Sequence, residues 1–368
     1  MRVAIISMEF PPAVGGIAEY LGQVAWRLAA REGYEVAVWA PPAYSASALG
    51  FLPEEPQYTR HIIPSSLWKL IRALRAWHPD RVIVGHTDLR LLLAARWVAP
   101  QRYLTVTYGN DFLGAQRLWY RGLINHLLAQ SRPLVAISRH TAGRLQKLGM
   151  PNPVVIYPGA DPERFYPPPI PLPPPFTLLS VGRLVPRKGI DVALRVVARL
   201  RGTYPDIRYR VAGRGPERRA LQHLAETLGL EDHVTFLGGV PADELPDLYR
   251  EAHLFLLPLR EEEQTNSIEG FGMVFLDAAA TAVPSIAGRC GGAVEAVRDG
   301  ETGLLIPPGD EEALYHAVLT LLEDDIQRRR LGQTGRRWVE EEMNWERAVD
   351  EFHYWLQGQE GGIRERIA

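Results

Sequence analysis

The chain has 368 residues, of which 46% are hydrophobic and 23% charged, and its formal net charge is −2. This composition is typical of globular domains and excludes disordered, collagen-like and fibrous proteins, while the length predicts two domains. A single cysteine, Cys290, excludes an intramolecular disulfide and a cysteine-based metal cluster. Because no apolar run approaches the roughly 18 residues that span a bilayer, we predict a cytoplasmic protein, with a peripheral place on the inner face of the plasma membrane left open.

Strand and helix patterns alternate along the chain on both sides of a proline-rich segment, residues 167–175. The predicted strands cover residues 2–7, 35–40, 81–85, 103–107, 133–138, 176–182, 207–213, 233–238 and 253–258. The predicted helices cover residues 17–31, 88–98, 139–148, 189–201, 216–228, 242–251 and 271–282. Strands that alternate with helices form parallel sheets covered on both faces. We therefore predict an α/β protein with two Rossmann-like domains facing a central cleft.

The proline-rich segment sets the predicted domain boundaries. Seven of the nine residues in 167–175 are proline, which suits neither a helix interior nor a central strand. We predict an N-terminal domain over 1–166, a linker over 167–175 and a C-terminal domain over 176–343. Residues 344–368 carry aromatic and aliphatic side chains at helical spacing, and predict a helix that crosses back to the N-terminal domain.

Charge is distributed unevenly between the two halves. Residues 1–168 carry a net charge of +7, and residues 169–368 a net charge of −9. The basic half favours an anionic partner such as membrane lipid, nucleic acid or an acidic substrate, and a solubility bias without function explains it equally well. Residues 67–77 and 117–128 are basic amphipathic stretches, which either lie in an anionic membrane interface or pack on the sheet with a solvated edge.

Candidate ligand-binding residues follow the predicted strands, because ligands of open α/β sheets bind at the carboxyl ends of the strands. Gly15 and Gly16 precede the first helix, where free N–H groups suit a phosphate, although a tight turn explains the pair equally well. Arg183 and Lys188 follow the strand 176–182. A guanidinium fork and an ammonium at one strand end suit a diphosphate, and we favour this interpretation over a solvated basic loop.

A second candidate cluster lies at residues 269–277. Glu269 and the glycines that follow it stand at the start of a predicted helix that carries Asp277. Such a cluster can accept hydrogen bonds from sugar hydroxyls while the helix N-terminus faces a phosphate, and Asp277 can accept a hydrogen bond from a ribose. A helix capped by Glu and Gly with a surface Asp accounts for the pattern equally well.

Two other kinds of site are excluded by spacing. Gly213 and Gly215 begin a dinucleotide-like fingerprint, but Pro216 follows and the third glycine is absent, so we reject an NAD site. The chain has no HExxH motif and no cysteine cluster, and Asp324 and Asp325 fit a solvated connection between helices. We therefore predict no metal and no cofactor.

Together, these motifs resemble the retaining glycosyltransferases of family 4, which have the GT-B fold. The resemblance rests on Arg183 and Lys188 followed by EGFGMVFLD at 269–277, and on further segments in the same order. These segments are EFPPAVGGIAEYL (9–21), SVGRLVPRKG (180–189), VAGRGPERRAL (211–221), VTFLGGVP (234–241) and GRCGGAVEAVRDGETGLLIPPGD (288–310). The chain most resembles bacterial mannosyltransferases that act on phosphatidylinositol-type lipids.

This resemblance implies a metal-independent hexosyltransferase. It would move a hexose, with mannose from GDP-mannose favoured, from a nucleotide sugar to a lipid or glycan hydroxyl with retention of configuration, and would bind no nucleic acid. By resemblance, Arg183 and Lys188 hold the diphosphate and Glu269 holds the sugar. The other implied donor-binding residues are Gly15, Gly16, Val240 near the base, Gly270, Phe271, Gly272, Met273 and, at the ribose, Asp277.

Two positions depart from the family pattern. Asp277 stands where the Glu-x7-Glu motif has its second glutamate, and Tyr108 stands where related enzymes often carry a histidine that contacts the donor sugar. We assign Tyr108 and Asp111 to the catalytic site, with His86 as a further candidate after a neighbouring strand. A UDP-glucose-type donor, a degenerate nucleotide-sugar-binding protein favoured only by Tyr108, and a sugar-nucleotide epimerase remain alternatives.

Overall fold

The computed structural model describes residues 1–42, 57–116, 119–261 and 269–358. Contacts within the chain divide it into two compact units. The first unit contains Met1–Pro158 together with Trp345–Ala368, and the second contains Gly159–Asn344. Each unit has its own parallel sheet, and each sheet presents the carboxyl ends of its strands at one edge.

The boundary between the units lies before the proline-rich segment that was expected to separate them. Ala160 forms a parallel bridge with Asn344, and its N–H donates to the carbonyl of Met343 at 2.9 Å. The ring of Phe165 packs edge-on against Tyr249, with 5.7 Å between centroids. These contacts attach residues 159–166 to the second unit, although the prolines follow them in the chain.

The described residues of the first unit form one sheet of seven parallel strands. The strands are β1 (Arg2–Ile6), β2 (Glu35–Ala40), β3 (Thr59–Ile62), β4 (Arg81–Val84), β5 (Tyr103–Thr107), β6 (Leu134–Ala136) and β7 (Val154–Val155). The helices are α1 (Gly16–Ala30), α2 (Leu67–Trp77), α3 (Leu89–Val98), α4 (Asn110–Ala115), α5 (Arg121–Ala129) and α6 (Arg139–Lys147). The strand order is β3-β2-β1-β4-β5-β6-β7, so the chain reverses direction across the sheet between β1 and β4.

The second unit repeats this arrangement with six parallel strands in its described part. The strands are β8 (Thr177–Val181), β9 (Arg208–Ala212), β10 (Val234–Gly238), β11 (Leu254–Leu257), β12 (Ser285–Gly288) and β13 (Gly303–Ile306). The helices are α7 (Ile190–Leu200), α8 (Arg218–Thr227), α9 (Leu245–Arg250), α10 (Met273–Ala280), α11 (Ala293–Ala296), α12 (Glu311–Glu323) and α13 (Asp325–Glu341). The order is β10-β9-β8-β11-β12-β13, with the reversal between β8 and β11.

Helix α7 illustrates how the residue pattern produces this packing. Its apolar positions, which include Ile190, Leu194 and Val197, are buried. On another face, Arg195 forms an ion pair with Glu311 of α12, with 2.8 Å between Nε and Oε2. An apolar stripe at helical spacing therefore fixes the buried face of α7, and the charged positions join neighbouring helices at the surface.

The predicted alternation of strands and helices is confirmed, with small shifts at the element ends. The structure adds strands β3, β7, β12 and β13 and helices α4, α11, α12 and α13. Two of the added strands lack a strong pattern, because β3 is mostly exposed and β7 has only two residues. Of the basic stretch 117–128, residues 117–118 lie outside the described residues, and α5 buries Ile124 and Leu127.

A last helix, α14 (Trp345–Leu356), follows the second unit in the chain but packs against α1 in the first. The ring of Trp345 lies edge-on to Tyr20, with 5.7 Å between centroids. Arg27 Nε donates to Glu346 Oε1 at 2.8 Å. Among the helices that the structure describes, none has both the length and the hydropathy that a membrane span requires.

Candidate functional site

In the second unit, three loops meet at the point where the strand order reverses, the usual ligand position of an open α/β sheet. The loop after β8 contacts the backbone after β11 at Gly189, where a Cβ atom would lie 2.1 Å from the carbonyl oxygen of Pro258. The loop after β12 contacts the segment before α10 at Gly292, where a Cβ atom would lie 2.1 Å from the oxygen of Gly270. Only glycine allows these approaches, which bring the side chains of the three loops together.

The side chain of Glu269 is the centre of this cluster. Lys188 Nζ donates to Glu269 Oε2 at 2.7 Å, and Arg187 Nη1 bonds the same oxygen. The Lys188 side chain is buried, with 7% exposed, and those of Arg187 and Glu269 are mostly buried, each with 13% exposed. The backbone of Glu269 is also fixed, because its carbonyl accepts a hydrogen bond from the N–H of Gly292 at 2.8 Å.

The two cations keep this buried carboxyl group ionised. Burial by itself raises the pKa of Glu269, but Lys188 and Arg187 outweigh burial and hold the pKa at about 2. Burial lowers the pKa of the Lys188 ammonium, and Glu269 opposes that shift. The cluster is therefore a carboxylate that can accept hydrogen bonds beside cations that can bind an anion.

The residues predicted for the diphosphate have different environments. Lys188 is buried and bound to Glu269, whereas Arg183 is exposed and its side chain makes no hydrogen bond or ion pair with the described residues. Arg187 does not stand out in the sequence, because a third cation in the run RLVPRKG has the pattern of a solvated loop residue. The hydrogen bonds to Glu269 are made by Lys188 and by Arg187, which lie on one short 3-10 turn, Pro186–Lys188.

The remaining predicted donor-binding residues lie near this cluster or on adjacent strand ends. Glu269 is followed by Gly270, Phe271 and Gly272, of which Phe271 is buried, and α10 begins at Met273. Asp277 is buried about one turn into α10, so it is not the surface residue of the alternative interpretation. Val240 is half-buried in the loop after β10.

In the first unit, the predicted phosphate-binding glycines lie after β1. Gly15 and Gly16 are both exposed at the N-terminus of α1. Gly15 is the N-cap residue, and no side chain caps the first turn. The geometry leaves this helix N-terminus open to an anion, as the sequence suggested.

Polar side chains after β4 and β5 form a second cluster, in the first unit. Asp111 Oδ1 accepts hydrogen bonds from the N–H groups of Tyr108 and Gly109, both at 2.9 Å. The other carboxylate oxygen, Oδ2, is buried and has no partner among the described residues. The same holds for Tyr108 Oη, His86 Nδ1 and Thr87 Oγ1. The sequence did not single out Thr87, because an isolated threonine after a strand carries no distinctive pattern.

Burial shifts the pKa values of two of these groups, Tyr108 and Asp111, towards their uncharged forms. Burial raises the pKa of Tyr108 well above its usual value, and the nearby Tyr20, Asp111 and Glu9 add to the rise. Burial also raises the pKa of Asp111, while His86 and backbone N–H groups oppose it. Because buried polar groups are almost always hydrogen-bonded, the cluster is suited to a ligand with hydroxyl groups or to ordered water.

The described residues contain no group of three or more His, Cys, Asp or Glu side chains that could hold a metal ion.

Comparison with family models gives two matches that together cover most of the chain. A family described as Glycosyl transferases group 1 matches residues 167–338, and Glycosyltransferase Family 4 matches residues 14–164. The cluster around Glu269 lies within the first of these matches, and the cluster around Tyr108 lies within the second.

Individual relatives match the chain over nearly its full length. The chain is 31% identical to the GDP-mannose-dependent alpha-(1-6)-phosphatidylinositol monomannoside mannosyltransferase of Mycobacterium tuberculosis, covering 97% of this chain and 98% of the relative. Among solved structures, sucrose-phosphate synthase from Thermosynechococcus elongatus has a TM-score of 0.77 at 24% identity, covering 97% of this chain and 98% of its own. Anabaena HepE in complex with UDP has a TM-score of 0.79 at 19% identity, covering 98% and 100%. Both structures have the same fold.

Proposed function

Since the chain belongs to the glycosyltransferases of group 1 and family 4 and is an enzyme that transfers a sugar, we propose that it moves mannose from GDP-mannose to a hydroxyl group of a lipid or glycan. We further propose that the transfer retains the anomeric configuration and needs no metal ion. The mannosyl donor is supported by the mycobacterial relative, whose name specifies GDP-mannose and a phosphatidylinositol monomannoside.

The observation that carries this proposal is the buried Glu269 cluster beside the exposed Arg183. Arg183, Arg187 and Lys188 together with Glu269 leave two net positive charges at the end of β8. A nucleotide-sugar diphosphate carries two negative charges, so the site and the donor match in charge. Cations at this position also stabilise the charge that develops on the diphosphate as it leaves, which is the role that a metal ion has in other transferases.

The proposed reaction exchanges one glycosidic bond for another. The bond between the anomeric carbon and the diphosphate oxygen breaks, and a bond from that carbon to the acceptor oxygen forms. The acceptor proton passes to the departing phosphate oxygen, so no protein base is required. Arg183 and Lys188 bind the diphosphate, while the Glu269 carboxylate accepts hydrogen bonds from sugar hydroxyls.

We assign the cluster in the first unit to the reacting hydroxyl groups. Tyr108 Oη, Asp111 Oδ2 and His86 Nδ1 are buried without partners among the described residues, so they offer both donors and acceptors. Tyr108 positions the donor sugar or the acceptor, and its uncharged phenol does not need to titrate. In this proposal Gly15 and Gly16 approach the donor phosphate through backbone N–H groups.

We also propose that the enzyme works at the cytoplasmic surface of an anionic membrane. Helix α2 exposes Lys69, Arg72 and Arg75, and its Trp68 is 66% exposed. Exposed basic and aromatic side chains on one amphipathic helix are typical of proteins that lie in a membrane interface. The net charge of +7 over residues 1–168 supports an anionic surface.

A donor screen tests this proposal most directly. Thermal unfolding would be measured with GDP-mannose, GDP, UDP-glucose and UDP, since a ligand at a hundredfold over its Kd stabilises the folded state by roughly 2.7 kcal/mol. We expect stabilisation by the guanine nucleotides, followed by mannose transfer to a phosphatidylinositol-type lipid, with the product anomer assigned by NMR. Stabilisation by UDP-glucose alone would contradict the donor assignment. Binding without transfer or slow donor hydrolysis would indicate a degenerate binding protein.

A further inference from the structure

Arg187 lies in the chain between Arg183 and Lys188, the two residues assigned to the donor diphosphate. We propose that Arg187 is a positioning residue that holds the Glu269 side chain in place when Lys188 binds the donor diphosphate. This inference rests on the proposed function, because it assigns to Glu269 the donor sugar and to Lys188 the diphosphate. It adds a residue to that site for which the sequence gives no sign.

The contacts of Lys188 and Arg187 differ. The Lys188 side chain lies between Glu269 and the backbone of Gly182, the residue before Arg183. A Cβ atom added to Gly182 would lie 3.4 Å from Lys188 Cε and 3.6 Å from Lys188 Nζ. Its ammonium has three donors, so it can share a phosphate oxygen with the carboxylate or leave the carboxylate for the phosphate. Arg187 Nη1 donates to the same oxygen, Oε2 of Glu269. Both cations therefore bond the carboxylate, and Lys188 is the one whose ammonium also lies beside the backbone of Gly182.

Both ends of the Arg187–Glu269 pair are fixed through the backbone. The carbonyl of Arg187 accepts a hydrogen bond from the N–H of Arg260 at 3.0 Å, which anchors the 3-10 turn to the chain after β11. The carbonyl of Glu269 accepts from Gly292 at 2.8 Å, which anchors it to the loop after β12. A pair held at both ends keeps its geometry when a third group moves, so Arg187 can orient the carboxylate while Lys188 changes partner.

This arrangement leaves one carboxylate oxygen for the sugar. Arg187 and Lys188 both bond Oε2 of Glu269, and Oε1 accepts no hydrogen bond from the described residues. Without Arg187, binding of Lys188 to a phosphate would leave a buried carboxylate with no cation. Such a group takes up a proton, and its sugar-facing oxygen then becomes a weaker acceptor.

The other titratable group that faces Glu269 does not interfere with this test. Besides Arg187 and Lys188 on the loop after β8, the described group in range is Cys290 on the loop after β12. Burial raises the pKa of the Cys290 thiol to about 11, with Glu261 and Glu269 adding to the rise. Cys290 is therefore neutral between pH 4 and 9. Asp111 of the first unit is the same residue in the wild type and in the Arg187 variants, so an acid limb that appears only in Arg187→Ala reports on Glu269.

The test compares Arg187→Ala, Arg187→Lys and the control Arg219→Ala, which removes an exposed arginine of α8, over pH 4 to 9 with GDP-mannose. We expect Arg187→Ala to lower kcat about tenfold with a much smaller change in KM, and to give kcat an acid limb within this pH range that the wild type, whose Glu269 has a pKa of about 2, does not show. Arg187→Lys should restore most of kcat and remove that limb. A purely structural role would lower thermal stability without giving kcat this acid limb, which would overturn the proposal.

Two further outcomes separate this inference from the proposed function. An increase in the KM for GDP-mannose and in the Kd for GDP, with unchanged kcat, would show that Arg187 binds the diphosphate itself and would also overturn it. If the wild-type protein transfers no sugar, the proposed function fails. Carboxyl NMR of Glu269 with and without GDP still decides the role of Arg187, since the pKa should rise on GDP binding in Arg187→Ala but not in the wild type.

Discussion

At the scale of single residues, the protein places a carboxylate among cations where burial would otherwise neutralise it. Ion pairs of this kind cost much of their Coulomb energy in desolvation, so they add little net stability as intact pairs. Removing one partner is different, because the other charge is then left buried. Lys188 and Glu269 should therefore affect both stability and turnover, whereas the exposed Arg183 should affect turnover alone.

This difference gives the first prediction. Arg183→Ala and Lys188→Ala should each lower kcat/KM at least about tenfold, a loss of roughly 1.4 kcal/mol of transition-state stabilisation. Steady-state kinetics measures this effect, with Arg219→Ala as the matched arginine control. In thermal unfolding, Lys188→Ala should lower Tm because it leaves Glu269 with one cation, and Arg183→Ala should not. Unchanged kinetics in both variants would remove the diphosphate assignment.

Glu269 should also make folding stability depend on pH. Its pKa of about 2 in the folded protein lies below the ordinary 4.5, so its stabilisation is present above pH 4.5 and is lost as the pH falls towards 2. The size of this effect is at most about 3 kcal/mol. Urea unfolding at pH 6 and pH 3 would measure it as the difference between wild type and Glu269→Gln. Parallel losses of stability in the two proteins would contradict the low pKa.

At Tyr108 the hydroxyl and the ring should have separate effects. The hydroxyl is buried without a partner among the described residues, and the ring packs edge-on against Tyr20 at 5.7 Å. Tyr108→Phe should keep measurable transfer, leave stability within about 1 kcal/mol, and remove no limb of the pH profile. Tyr108→Ala should cost about 3 kcal/mol or more in unfolding free energy and far more activity, because it leaves a cavity. If Tyr108→Phe were as inactive as Glu269→Ala, the hydroxyl would be essential.

At the scale of elements, α2 is a helix with two different faces. It buries Leu70, Ile71 and Leu74 against the first unit and exposes its basic residues. The exposed Trp68 lies edge-on to Trp97 of α3, with 5.7 Å between ring centroids. Burial of the apolar face explains why α2 packs against the first unit, but it does not explain why two tryptophans are exposed to solvent. Binding of α2 to a membrane interface would explain their exposure.

Vesicle co-sedimentation tests this function of α2. Wild type should bind vesicles that contain anionic lipid and not neutral ones, and binding should weaken as salt is raised, because basic residues close to the surface contribute about 1 kcal/mol each. Lys69→Glu with Arg72→Glu should abolish binding. The control is Lys147→Glu, which makes the same kind of charge change at an exposed position on α6. Equal binding to anionic and to neutral vesicles would contradict the proposal.

At the scale of the whole molecule, the proposed donor residues divide between the two units, and most of them lie in the second. GDP alone should therefore slow hydrogen exchange in residues 182–189 and 269–280, and leave residues 108–112 of the first unit unchanged. Hydrogen-exchange mass spectrometry with and without GDP makes this comparison. Protection confined to residues 108–112 would contradict the placement of the diphosphate at the end of β8.

The sequence by itself determined the alternation of strands and helices, the two α/β units and the strand-end loops that hold the site. These features depend on the spacing of apolar residues within each strand or helix, and on glycines and cations that follow a strand at a short distance in sequence. A short segment shows these patterns whatever the rest of the chain does. Asp277 was placed correctly on a helix, although that helix begins at Met273 and not at residue 271 as predicted. The weakly patterned strands β3 and β7 were not predictable in this way.

The tertiary structure decided which side chains meet. Arg187 and Glu269 are 82 residues apart, and nothing in either segment marks the other as its partner. The attachment of residues 159–166 to the second unit and of α14 to the first likewise depends on long-range contacts. The unpartnered atoms of Tyr108, Asp111, His86 and Thr87 became visible only when the neighbouring strand ends were placed side by side. Which side chains are buried and which ones form contacts depends on the packing of distant segments, and the residue spacing within one segment does not determine it.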